Sequence, residues 1–157
     1  MFFFTTRQEF KNRGNKRGLG KMKRENSPGE KRVVPEGLKA WFMVHFYVDL
    51  IVAVPLFFFP EVTLNYLGWQ SPDPFTTRLF AAALFGIGIS SLLVKKASIE
   101  VYEKMLNLKI IWSTFAGLGL FLSILQVEGS KPFGVWAALV VFVFFNLLWI
   151  FWKSKLE

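Results

Sequence analysis

Several polar side chains sit inside stretches that are otherwise apolar, and they are the residues with chemistry to offer. His45 and Asp49 are four apart, so on a helix they share one face. Lys109, Asn146 and the neighbouring pair Ser90 and Ser91 lie in three further apolar stretches. At about 1.5 Å per helical residue, His45, Ser90, Lys109 and Asn146 fall roughly 7–10 Å inside one membrane boundary, with Asp49 about one turn deeper. A charge in hydrocarbon costs about 2.5–3.5 kcal/mol on insertion scales, so such groups need partners. Asp49 stays ionised if Lys109 or a protonated His45 is adjacent, and is protonated if alone. We therefore expect His45, Asp49, Ser90, Lys109 and Asn146 to form one intramembrane polar cluster, and Asp49 to pair with Lys109. That cluster is either a packing device or a binding site. Snorkelling of Lys109 to the headgroups is the alternative for that residue.

A second charged set lies toward the other side. Glu61, Asp73 and Arg78 fall at a similar height and predict an outer ion pair, with phosphate binding by Arg78 as the alternative. Pro55 has no N–H for the Ile51 carbonyl, which permits a kink, a hinge or a free oxygen ligand there.

Much chemistry is excluded. There is no cysteine, so disulfides, thiolate metal sites and thiol redox reactions are absent. One histidine excludes a bis-histidine haem within one chain. No GxxxxGK[ST] phosphate loop, HExxH zinc motif or GxSxG nucleophile turn occurs. No catalytic residue, cofactor or metal site is predicted.

The elements that must position these residues are four apolar runs, at about 39–59, 75–94, 105–127 and 133–152, each near the roughly 20 residues a helix needs to cross a bilayer. The fold class is all-α, a polytopic four-helix membrane bundle. Asp73 and Pro74 suit the start of the second span. Gly68-Trp69 and Ser71 to Pro74 predict a turn-rich loop after the first, and Ala97 to Lys104 a short charged connection after the second. Small residues at Ala82, Gly86 and Ser90, and a row of Ser113, Gly117 and Phe121, predict close helix contacts. The aromatic fourth span is expected to face lipid, with Trp149 and Trp152 at the inner interface.

Residues 1–37 differ in composition, with ten Lys and Arg before Val33. We read them as a mostly disordered cytoplasmic tail drawn to anionic inner-leaflet lipid. Met1-Phe2-Phe3-Phe4 lacks the basic and apolar regions of a signal peptide, and Met22 is an alternative start. The net charge of +8 is therefore a membrane signal, with no nucleic-acid partner expected. Lys95, Lys96, Lys104, Lys153 and Lys155 fall on the same side as the tail. The positive-inside rule then makes both termini cytoplasmic in a cytoplasmic (inner) membrane.

The segments Pro55-Leu56 with Pro60-Glu61, Leu67-Gly68-Trp69, Arg78 to Gly88 and Leu108 to Ser113 resemble those of small four-span bacterial membrane proteins grouped loosely as DoxX-like. The resemblance covers residues 39–152 and implies a four-span helical fold without a named activity. The leading functional expectation is a non-enzymatic protein that binds a lipid, a small apolar ligand or a partner subunit, a second copy of the chain included. The alternatives are a small oligomeric proton-coupled transporter using Asp49 or His45 and, third, a membrane enzyme acting on a lipid headgroup.

Overall fold

The computed structural model describes residues 33–126 and 128–156, and these are helical, without strands. The basic tail before Val33, and with it the expected lipid-binding segment, lies outside the described residues. The helices are α1 (Glu36–Phe58), α2 (Pro60–Tyr66), α3 (Pro74–Leu93), α4 (Ile99–Gln126) and α5 (Phe133–Leu156), with a 3₁₀ turn at Val94–Lys96 after α3. Four of them, α1, α3 with its 3₁₀ extension, α4 and α5, are long and apolar enough to cross a membrane.

The boundaries differ from the sequence reading in three places. The loop expected after the first span contains the short helix α2. Pro60 supplies a preset φ at its first position, and Thr63 donates its hydroxyl to the carbonyls of Phe59 (2.8 Å) and Pro55 (3.1 Å). Gly68, at φ +94°, ends α2. Its N–H donates to Asn65 O and that of Trp69 to Leu64 O, the paired bonds of a Schellman stop. Helix α4 starts six residues before the expected Met105. Its charged first turns keep a buried stripe of Ile99, Tyr102 and Leu106, which continues the helix through the expected connection. Helix α5 runs on to Leu156, with Lys153 and Lys155 in the last turn, where cations complement the helix dipole.

Helix α1 packs mainly on α3, and α4 on α5. Two apolar clusters join them. One, toward the end carrying Lys95, Lys96, Lys153 and Lys155, contains Leu38, Phe42, Tyr102, Leu106, Phe145 and Trp149. The other joins α1 to α3 through Ala53, Leu56, Ala81 and Leu84. At the opposite end the α2–α3 loop docks on α5: Gly134 N–H donates to Leu67 O at 3.0 Å, and a Cβ on Gly134 would lie 2.6 Å from the Trp69 ring. Large apolar side chains such as Ile51, Phe75, Leu93 and Val140 point outward. Outside water that is the surface hydrocarbon requires.

The small-residue face of α3 is one residue out of register with the expectation. Thr77, Ala81, Leu84, Gly88 and Ser91 are buried, whereas Ala82 and Gly86 are exposed. On α4, Ser113 and Gly117 are buried as expected, but Phe121 faces outward.

Candidate functional site

The intramembrane polar groups meet on the side chain of Lys109, which is 1% exposed. Helix α4 delivers it from a stripe of Tyr102, Leu106, Lys109, Ser113 and Gly117, the three-and-four spacing of a single face. Its ammonium donates to Ser91 Oγ of α3 at 2.8 Å and lies 3.2 Å from His45 Nδ1 of α1. The same nitrogen is 5.0 Å from the Phe42 ring centre and 5.1 Å from that of Trp149. Two hydrogen-bond partners and two aromatic faces therefore replace its water shell.

His45 is the junction. Its Nδ1 is also 2.8 Å from Asp49 Oδ2, one helical turn along α1. That carboxylate oxygen is buried and has no aligned donor among the described residues. The imidazole is walled by Phe145 and Trp149 of α5, edge-on, at 4.6 and 5.3 Å between ring centres. Gly88 of α3 makes room for Asp49: a Cβ there would stand 2.9 Å from Asp49 Cβ and 3.2 Å from Oδ2. The result is a line, Asp49–His45–Lys109–Ser91, drawn from three helices and sealed by a fourth.

The sequence reading is corrected at several points. Ser90 is outside the cluster. Its hydroxyl returns to Gly86 O at 2.6 Å on the exposed side of α3, and Ser91 takes its place because the buried face of α3 is shifted by one residue. Asp49 reaches Lys109 through His45 rather than by a direct bond. Lys109 does not snorkel; it is enclosed. Asn146 sits a step away. Its amide donates to groups on α4, Thr114 Oγ1 (2.8 Å), Ser113 Oγ (2.9 Å) and Ile110 O (3.1 Å), three acceptors for two hydrogens. Ser113 Oγ in turn donates to the Lys109 carbonyl at 2.7 Å, so Asn146 ties α5 to α4 beside the line rather than on it.

Trp149 is the largest departure. Expected at the interface, it is fully buried, and its indole N–H has no partner among the described residues. A polar layer supplied by α1, α3 and α4 needs an aromatic wall, and α5 provides it. Gly88, Ser91 and Trp149 are the site residues the spacing argument missed. The usable signal for Gly88 and Ser91 was the register Thr77-Ala81-Leu84-Gly88-Ser91, which alternates steps of four and three as a packed helix face does.

The expected outer ion pair of Glu61, Asp73 and Arg78 is not formed. Asp73 is engaged as the N-cap of α3, accepting from Phe75 N at 3.0 Å and from the Thr76 hydroxyl. The Thr76 hydrogen bond, with the backbone N–H groups, holds the Asp73 carboxyl below its usual range. Arg78 Nε donates instead to Phe57 O at 3.2 Å, one of the last-turn carbonyls of α1 that lack a helical donor. Glu61 is exposed on α2. Between α1 and α3 at this end lies an open, mostly apolar groove of about 600 Å³, walled by Phe57, Pro74, Phe75, Leu79 and Ala82, with Arg78 and Asp73 among its lining residues.

Comparison with protein-family models, with curated proteins and with solved structures finds no match to this chain.

Proposed function

We propose that this chain is a non-enzymatic inner-membrane protein, with both termini cytoplasmic, that binds a lipid or another apolar ligand. The observation that carries this reading is the groove between α1 and α3. Its walls are apolar, and its lining includes a cation, Arg78, whose Nε is tied to Phe57 O. That combination suits a molecule with an apolar chain and a polar or anionic head. The length of the four long helices and the many large apolar side chains on their outer surfaces support a membrane setting. The resemblance to DoxX-like proteins is part of this proposal. Mass spectrometry of the protein released from native membranes tests it: a defined lipid or apolar molecule remains bound, and Arg78→Gln loses it. Release with no retained molecule refutes the reading. Reporter fusions test the orientation, with cytoplasmic signals after Lys96 and at the C-terminus and external signals near Trp69 and Ser130.

The Asp49–His45–Lys109 line favours a second reading, a small oligomeric transporter coupled to protons. Solute flux into proteoliposomes that follows an imposed pH gradient is its test.

A further inference from the structure

His45 Nδ1 has two suitors and one valence. It is 2.8 Å from Asp49 Oδ2 and 3.2 Å from Lys109 Nζ. With a proton on Nδ1, the ring can donate to Asp49 and cannot accept from Lys109. With a lone pair on Nδ1, it accepts from the Lys109 ammonium, and Asp49 Oδ2 faces a second acceptor at hydrogen-bond distance. Two acceptors that close repel unless one carries a proton. Ionised Asp49, neutral His45 and the Lys109 ammonium therefore cannot satisfy both contacts at once.

We propose that Asp49, His45 and Lys109 form a buried proton-binding site that switches His45 between its two neutral tautomers. In the first state Asp49 is a carboxylate, Nδ1–H faces it after a small turn of the ring, Nε2 is bare, and Lys109 is held by Ser91 and the aromatic faces. A proton arrives at Nε2. The Nδ1 proton passes across the 2.8 Å contact to Asp49 Oδ2. The second state has Nε2–H, a neutral Asp49 carboxylic acid that donates from Oδ2 back to the bare Nδ1, and a Lys109 ammonium still held by Ser91 and the aromatic faces. One proton is taken up and no imidazolium remains, because the Lys109 charge 3.2 Å from Nδ1 opposes a second positive charge on the ring.

The surroundings fit this assignment. On α1, Asp49 is the titratable neighbour in contact with His45. Helix α4 contributes Lys109, and α3 contributes the Ser91 hydroxyl and the bare backbone of Gly88, neither of which titrates in this range. Helix α5 presents the Phe145 and Trp149 rings. The site does not depend on transport, so a negative flux assay leaves it standing.

The chain has one histidine, which makes the test direct. Full-length protein labelled with ¹⁵N-histidine in lipid nanodiscs gives two ring-nitrogen signals that need no residue assignment. Their shifts separate protonated from bare nitrogen, and couplings to the ring carbons tell Nδ1 from Nε2. On acidification the proton should move from Nδ1 to Nε2, with the ring neutral throughout. Asp49→Asn, which removes the proton acceptor, should abolish this exchange. Lys109→Met, which removes the positive charge beside Nδ1, should instead let an imidazolium form on acidification, and serves if the first variant does not fold. In the wild type, an ordinary imidazolium with both nitrogens protonated overturns the proposal. So does a single tautomer that persists from about pH 4 to pH 10, the interval between free carboxylate and free lysine.

Discussion

Gly88→Ala and Gly86→Ala are the same chemical change on the same helix, two residues apart, and they should have opposite effects. In a helix Ala is better than Gly by about 0.8–1.0 kcal/mol, because Gly loses more backbone freedom on ordering. At Gly86 an added Cβ meets nothing within 4 Å, so that gain should appear undiminished. At Gly88 the added Cβ stands 2.9 Å from Asp49 Cβ and 3.2 Å from Oδ2. Contact with a Cβ is contact with a helix scaffold, and rotating Asp49 does not relieve it. Helices α1 and α3 must separate, which stretches the contacts of Ala53, Ala81 and Ser91 on the same faces. Overpacking of this kind costs about 1–3 kcal/mol. The net change for Gly88→Ala is then about 0–2 kcal/mol of destabilisation, and the gap between the two variants is about 1–3 kcal/mol, the clash alone. Equilibrium unfolding in mixed mild detergent and SDS, followed by tryptophan fluorescence, reads both. A Gly88→Ala protein as stable as Gly86→Ala would refute the close α1–α3 contact at Asp49. Trimming Asp49 to Ala should fail to rescue Gly88→Ala, because the obstructing Cβ remains.

Three further outcomes follow from the site. Ser91→Ala removes a hydrogen-bond partner of the buried Lys109 ammonium and should destabilise by about 1–3 kcal/mol, whereas Ser90→Ala should stay within about 0.5 kcal/mol; the same unfolding titration compares them. Trp149→Ala empties the aromatic wall beside His45 and Lys109 and should cost about 3–5 kcal/mol. The exposed Phe151 should lose far less on the same change, and accumulation in membranes would rank the pair. Asp73→Ala should weaken the start of α3, whereas Asp73→Asn, also a good N-cap, should largely preserve it. Because folding lowers the Asp73 pKa, its contribution is present above the ordinary carboxylate range and is lost as pH falls through the lowered value. Amide exchange of the first turn of α3 should therefore accelerate on acidification below about pH 4 in the wild type and be pH-insensitive in Asp73→Asn, once intrinsic exchange is corrected.

How much of this was legible in the sequence depends on the length scale of the signal. The four long helices were, because hydrophobic length is a property of one segment and needs no neighbour. Their ends were less so. The start of α4 was placed at Met105 because Glu100, Glu103 and Lys104 look like a loop, yet Ile99 and Tyr102 carry a packed face through them. The Asp73–Pro74 start of α3 was readable, since capping is a local bond between a residue and the next turn. For the same reason the outer ion pair failed: a carboxylate occupied by its own helix end is not available to Arg78.

By itself the sequence determined that His45, Asp49, Lys109 and Asn146 lie in apolar helices, and that His45 and Asp49 share a face. Those are consequences of composition and of 3.6 residues per turn. Only the tertiary structure decided which groups touch. In spans that are apolar all round, hydrophobic pattern does not say which face turns inward, since lipid accepts every side. Rotation is set instead by close fit at the glycines, Gly88 against Asp49 Cβ and Gly37 against the Trp152 ring. That rotation chose Ser91 over Ser90, drew Trp149 into the core, and put the single histidine between a carboxylate and an ammonium.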